Sequence, residues 1–387
     1  MEEISWYQLP LDLQAQFYKR AEEDSDKILN SLKEVSKKLT RLKSDLKIEF
    51  NQFNFSDKEL KIGAVDGSKS MSMSNRLGLK IAVLSCCSLI LKGNERIENF
   101  RVGSIKERQT YSDESSIKRL GLLLSYIERK SALEILNEVD YLIVDGSFYG
   151  FIYPILRLKK EGALSEEMKK LLNEVYYLTN KLIDSKKVIA VVKRSRTRVI
   201  GALMFLKYKD ASYVDLLDRL ILTYILPEQS IFDYATVANM HDENFVQIYN
   251  QISSLILKRQ VNEELIERAK DKAYEPLRSL GLSEEHFKKL SRIQVKSYTD
   301  TATCEIEHPK LDIKELTQIV SSKNFFNPAT GLPLILDMVD SLTSLPSNFT
   351  EDYALEVQAR AIYKAMKHNL PIDILKMLFL SMNPQKK

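Results

Sequence analysis

The chain has 387 residues, with 57 Lys and Arg against 53 Asp and Glu, so its formal net charge is +4. That near-neutral balance excludes a histone-like or tail-like basic protein, and any nucleic-acid contact must come from local patches. Apolar residues at 44% and charged residues at 28% fit a soluble globular chain with a sizeable core.

Three Cys, at 86, 87 and 304, form neither a disulfide framework nor a zinc-ligand spacing. No apolar run approaches ~18 residues, and the N-terminus lacks the order of a signal peptide. The chain reads as cytoplasmic, with no membrane partner.

Residues 11–50 carry Leu11, Phe17, Ile28, Leu32, Leu39 and Leu42 at helical spacing. They predict a long amphipathic helix or helix pair, acting as a packing arm or a partner contact. Lys61 to Ser68 then reads as a short strand ending in an Asp-Gly turn. A second strand follows over 77–91, with Gly93-Asn94 as a turn, and a third over 95–103. Cys86 and Cys87 point to opposite faces.

Residues 113–138 return to helix, Tyr141 to Ser147 to a buried strand, 165–185 to helix, and Val188 to Val192 to a further buried strand. This order gives an α/β fold, a mixed sheet with crossover helices. A helix is expected at 213–227, strands near 231–238, 245–257 and 292–307, and a helix at 262–280. Pro333 to Leu345 and Asp352 to Lys367 read as C-terminal helices, and Pro384 to Lys387 as a frayed tail.

The chemistry gathers around a doubled tetrapeptide, Val65-Asp66-Gly67-Ser68 and Val144-Asp145-Gly146-Ser147. Each copy follows an apolar strand and sets a carboxylate at the edge where open α/β sheets bind ligands. The copies stand 145 − 66 = 79 residues apart, but adjacent strands bring such carboxylates side by side. Like charges that close need a cation to stay ionised, and hard oxygen donors suit Mg²⁺ or Mn²⁺.

Glu128 lies on the apolar stripe of the 113–138 helix, sharing a face with Leu124 and Ala132. A carboxylate there is costly unless paired or metal-bound. Glu134 falls off that stripe and faces water. Lys193-Arg194-Ser195-Arg196-Thr197-Arg198 leaves a buried strand at the same edge. Cations beside a metal-binding acidic cluster suit a phosphodiester substrate, so Lys193, Arg194, Arg196 and Arg198 are candidate phosphate contacts. Tyr149 is a candidate for stacking on bases. Asp337 and Asp340 add two late acids one helical turn apart.

Other chemistries lack their motifs. The four His show no HExxH, and there is no P-loop, no GxSxG and no GxGxxG after a strand. A sugar-kinase-like phosphotransferase needs glycine-rich phosphate loops, against which 12 Gly in the whole chain argue.

These residues together resemble the NurA nucleases, archaeal and bacterial DNA-end-processing enzymes that act with the HerA helicase. The likeness rests on Ala64 to Ser68, the helix bearing Glu128, Leu142 to Ser147, the strand leading to Lys193, and Gly331-Leu332-Pro333-Leu334. It runs from about 60 to 345.

The resemblance implies an RNase H-like core and two Mn²⁺ or Mg²⁺ ions. Asp66, Glu128 and Asp145 would be ligands, and Lys193 would stand near the scissile phosphate. After the Pro-Leu pair, family members often show Ala-His or Ala-Asp. The departure here leaves the fourth ligand between Asp337 and Asp340, with Asp337 the first choice.

It further implies 5′-to-3′ exonuclease and single-strand endonuclease action on DNA, in end resection for recombinational repair. It also implies a homodimer and docking on a hexameric HerA-like ATPase. The expected organisation is an N-terminal helical arm over 1–55 and an RNase H-like nuclease domain over 56–387, with a mostly helical insertion at about 211–290. The alternative is a catalytically inactive DNA-binding or assembly subunit of a helicase complex.

Overall fold

The computed structural model describes residues 8–45, 49–93, 95–108, 112–237 and 242–380. The expected tail at Pro384 to Lys387 lies outside the described residues, as do Asn94 and His241.

The chain begins with helix α1 (Leu11–Asp45) and a two-residue strand β1 (Asn51–Gln52). Next come β2 (Ile62–Lys69), β3 (Ser74–Asn75), β4 (Lys80–Lys92) and β5 (Glu95–Glu107). Helix α2 (Asp113–Ile135) leads to β6 (Tyr141–Asp145). Helices α3 (Ile152–Lys160) and α4 (Glu166–Asp184) lead to β7 (Val188–Val191).

Then follow α5 (Val199–Tyr208), α6 (Asp218–Ile225), β8 (Ser230–Asp233), α7 (Phe245–Leu257), α8 (Leu265–Ser279) and α9 (Glu285–Lys288). The chain closes with β9 (Ser291–Lys296), β10 (Cys304–His308), α10 (Ile313–Val320), α11 (Leu334–Thr343), α12 (Phe349–Lys367) and α13 (Ile372–Leu378).

The strands form one mixed sheet in the order β1-β8-β9-β10-β7-β6-β2-β4-β3, with β5 also on β4. Strands β2, β4 and β5 are the expected antiparallel meander. Strand β6 adds parallel to β2, and β7 parallel to β6. Parallel neighbours need crossovers, and α2 and the α3–α4 pair supply them. This meander with two parallel strands is the RNase H-like core that the sequence resembled.

Both faces of the central strands are buried, which explains their near-continuous apolar runs. Val65, Cys86, Val144 and Ala190 face a core shared with α2 and α4. Ala64, Cys87, Ile143 and Val191 face a second core beneath α10 and α11. All three Cys are free and buried. Ser112 and Ser165 cap α2 and α4 by accepting from backbone N–H groups of the first turn.

Three elements differ from the sequence reading. Residues 245–257, rich in aromatic and β-branched side chains, form helix α7, because Phe245, Ile248 and Ile252 recur at helical spacing against the core. The 213–227 helix shortens to α6, and 199–208 folds as a separate helix, α5. The strand expected at 292–307 is two antiparallel strands, β9 and β10.

Helix α1 docks only by its C-terminal half. Leu39 and Leu42 are buried, and Lys38 pairs with Asp215 at 3.6 Å. Leu11, Phe17, Ile28, Leu29 and Leu32 stay exposed along the rest. Among the described residues no helix is long and apolar enough to cross a membrane.

Candidate metal centre

The register of the parallel strands builds the site. Val65 stands opposite Val144, and Asp145 opposite Val191. Asp66 and Asp145 therefore leave neighbouring strands at one level and on one face. Lys193, two residues beyond Val191, returns to that face. Helix α11, packed under β2 and β4, adds Asp340.

The Lys193 Nζ stands 3.4 Å from Asp145 Oδ2, 3.8 Å from Asp66 Oδ2 and 3.9 Å from Asp340 Oδ1. Three carboxylates thus surround one ammonium. Glu128 approaches from α2 on the other side of β2.

The two Asp-Gly-Ser copies share one local device. The Gly67 N–H donates to Asp66 Oδ1 at 2.7 Å, and the Gly146 N–H to Asp145 Oδ1 at 3.0 Å. Each fixes one carboxylate oxygen and leaves the other turned to Lys193. Their glycines serve different needs. Gly146 has φ +74° and makes the turn expected after β6.

Gly67 lies inside β2, so the first copy does not end its strand as the sequence reading held. A Cβ on Gly67 would meet Leu124 Cδ1 at 2.5 Å and Glu128 Oε1 at 3.1 Å. The missing side chain lets Glu128 reach the strand.

Crowding and burial favour the protonated acids. Burial pushes Asp66 up to about 8, helped by the charges of Asp145 and Glu128 and opposed by Lys193 and the Gly67 N–H. Burial pushes Glu128 up to about 7. Arg129 and Lys69 pull it back, and Asp145 adds to the rise. Asp145 is raised for the same first cause, with Lys193 opposing.

Asp66 Oδ2 is buried without a hydrogen-bond partner, and coordination to a cation would satisfy it. Among the described residues no three His, Cys, Asp or Glu stand close enough to ligate an ion as they are; the acids close on the Lys193 ammonium instead. The donor set, all carboxylate oxygen, fits a hard divalent ion at this place.

Beneath the site lies a buried network that the sequence reading missed. Arg292 donates to Glu305 Oε1 at 2.6 Å and twice to Glu307 Oε1, at 3.0 and 2.8 Å. Glu307 Oε2 accepts from Ser147 Oγ and from the Phe148 N–H, both at 2.8 Å, and so pins the turn after Asp145. Glu305 accepts from Ser195 at 2.5 Å and Thr197 at 2.9 Å, and so pins the loop after Lys193. One guanidinium thereby ties together the two segments that carry Asp145 and Lys193.

Two residues fall elsewhere than expected. Asp337 accepts from Asn327 Nδ2 at 2.8 Å and Thr330 Oγ1 at 2.7 Å. It secures the 327–331 turn, and Asp340, one helical turn on, is the acid that reaches Lys193. Tyr149 is only 3% exposed, packs on Tyr176 and Phe287, and donates to Asn180. It is a core residue and presents no face for a base. Of the basic loop, Arg194 and Arg196 are exposed and Arg198 is half-buried. Glu134 faces out, as expected, and pairs with Arg101.

A family model described as the NurA domain matches residues 60–272, more than half of the chain. Among solved structures, the NurA nuclease from Sulfolobus solfataricus superposes with a TM-score of 0.59 at 15% identity, covering 90% of this chain and 97% of that one. NurA bound to dAMP and manganese gives 0.48 at 12% identity, covering 85% and 94%. At such identities the first likeness speaks for the fold. A comparison with curated proteins returns no match.

Two predictions follow from the charges. Asp66 and Glu128 have folded pKa values above their ordinary 3.8 and 4.5, so the folded state binds these protons more tightly than the unfolded chain. Their contribution to stability is full below those ordinary values and is lost as pH rises through about 7 to 8. A divalent ion competes with the same protons. Melting in EDTA should therefore fall from pH 5 to 9, and the rise in Tm on adding Mn²⁺ should be small at pH 5 and large at pH 9. A Mn²⁺ effect independent of pH, or unchanged in Asp66→Asn, contradicts this.

Arg292→Leu leaves two buried carboxylates without their cation. It should cost about 3–5 kcal/mol in urea unfolding, whereas the exposed Arg194→Ala should stay within about 0.5 kcal/mol.

Proposed function

The chain belongs to the NurA nuclease family and is a metal-dependent nuclease, and we propose that it hydrolyses DNA phosphodiesters at the carboxylate cluster around Lys193. The observation that carries this reading is the convergence of Asp66, Asp145 and Asp340 on one ammonium, with the buried Asp66 Oδ2 lacking a hydrogen bond.

Asp66, Glu128, Asp145 and Asp340 would hold two divalent ions, Mn²⁺ or Mg²⁺. Such ions, when bound, lower the pKa of an attacking water and stabilise the leaving oxygen of an in-line displacement. Asp66 and Asp145 would hold the ion that activates the water, and Glu128 would help hold the ion at the leaving oxygen. Lys193, released from the carboxylates, offsets charge on the nonbridging oxygens. The exposed Arg194 and Arg196 hold the backbone of the incoming strand.

The finer reading follows the family: 5′-to-3′ exonuclease and single-strand endonuclease action, in the cytoplasm, in end resection with a HerA-like hexameric ATPase. A homodimer would cover the apolar stripe that α1 leaves exposed between Leu11 and Leu32.

End-labelled single- and double-stranded DNA in Mn²⁺, Mg²⁺ or EDTA tests the reading. Cleavage should require the metal. Asp66→Ala should lower it by about a hundredfold or more, the scale lost with one charge-stabilising group. Asp340→Asn should lower it strongly and Asp337→Asn only a few-fold. Cleavage surviving in EDTA or in Asp66→Ala refutes the reading.

A further inference from the structure

A cavity beside the carboxylate cluster shares Glu128 with it, and its other lining residues play no part in the reaction described above. Its volume is about 310 Å³, and Lys69, Gly121, Ser125, Glu128, Phe151 and Pro154 are among its lining residues. That is the lower end for a small-molecule site. One wall is α2, and the other is the start of α3.

Lys69 ends β2 on the strand face of Val65 and Gly67, turned to α2. Its ammonium makes a single long hydrogen bond, to the Ile117 carbonyl at 3.4 Å, and has no ion pair among the described residues. The second lysine of the cavity, Lys118, is already held by Glu114 at 3.0 Å and Glu161 at 2.7 Å.

Gly121 makes the room for Lys69, since a Cβ there would stand 2.8 Å from its Nζ. Burial disfavours this cation and lowers its pKa, and the charge of Glu128 opposes that shift. A half-buried ammonium that makes no ion pair among the described residues, set into a cavity, suits an anionic ligand.

The position of the cavity narrows that ligand. It includes Glu128, so whatever fills it lies against the strand being cut. A space of this size takes an end group, not a run of nucleotides. The end group with most charge is a phosphate monoester, carrying about −1.5 to −2 at pH 7, which outcompetes an internal diester for one lysine. A charge-assisted contact of this kind is of the strong type.

We propose that the cavity is a strand-end subsite, in which Lys69 pairs with a terminal phosphate of the DNA. The enzyme then degrades phosphorylated ends faster than hydroxyl ends. The inference rests on the nuclease reading of the neighbouring acids.

Linear single-stranded oligonucleotides with a phosphate or a hydroxyl at the 5′ or the 3′ end test it, beside a circular single strand, all with Mn²⁺ and the full chain. The wild type should favour one phosphorylated end by about tenfold in kcat/KM, and which end it favours identifies the source of the phosphate. Lys69→Met should bring that ratio near one, and Lys69→Arg should keep it. Gly121→Ala favours the helix while displacing the ammonium, so it should lower the ratio without unfolding the chain. The ratio is read within each protein, so a general loss of rate through Glu128 cancels.

Cleavage of the circle with no preference at either linear end overturns the inference and leaves the nuclease reading intact. A ratio preserved in Lys69→Met overturns it too. No cleavage of any substrate, the circle included, refutes the nuclease reading and this subsite with it.

Discussion

Mutual repulsion among four carboxylates is the constraint on which the rest of this structure depends. Two unit charges 4 Å apart repel by about 4 kcal/mol at an effective dielectric near 20. Asp66, Asp145 and Asp340 each stand within 3.9 Å of the one Lys193 ammonium, and the charges of Asp145 and Glu128 both act on Asp66. Left to themselves such groups move apart or take up protons. Burial first, and the neighbouring acids after it, favour the second response at Asp66 and Glu128, and the stiffness of the surroundings blocks the first.

That stiffness has named sources. Asp66 sits inside a strand paired on both sides, to β4 and to β6. Its Oδ1 is tied down by the next N–H, and the same holds for Asp145. The turn after Asp145 and the loop after Lys193 both rest on carboxylates that Arg292 joins from below. A buried ion network of this sort adds little net stability over an apolar core of equal shape. Its effect here is geometric. It fixes two segments from different parts of the chain at hydrogen-bond precision, which a catalytic site requires.

Much of this was legible in the sequence, for physical reasons. Strands buried on both faces read as apolar runs, so β2, β4, β6 and β7 stood out. The doubled Asp-Gly-Ser marked the edge where they end or pass, and the helical stripe of α2 exposed Glu128 as a charge on the wrong face.

What escaped depends on tertiary placement. Two identical tetrapeptides, one within a strand and one in a turn, differ only by whether β4 continues alongside. Asp337 and Asp340 differ only by the rotation of α11 against β2. Arg292, Gln294, Glu305 and Glu307 alternate with apolar residues, the pattern of a solvated strand face. Here that face is covered, and Arg292 satisfies both glutamates while Gln294 donates to Glu305. Tyr149 is enclosed by Phe287, which folds back from far along the chain.

Crystals of the protein soaked in Mn²⁺ and measured for anomalous scattering test the central claim most directly. The account predicts manganese peaks between Asp66 and Asp145 and against Glu128, with the Lys193 ammonium displaced from the carboxylates and Asp337 still bound to Asn327 and Thr330. Ordered crystals at saturating Mn²⁺ with no peak among these acids, and Lys193 unmoved, would contradict it.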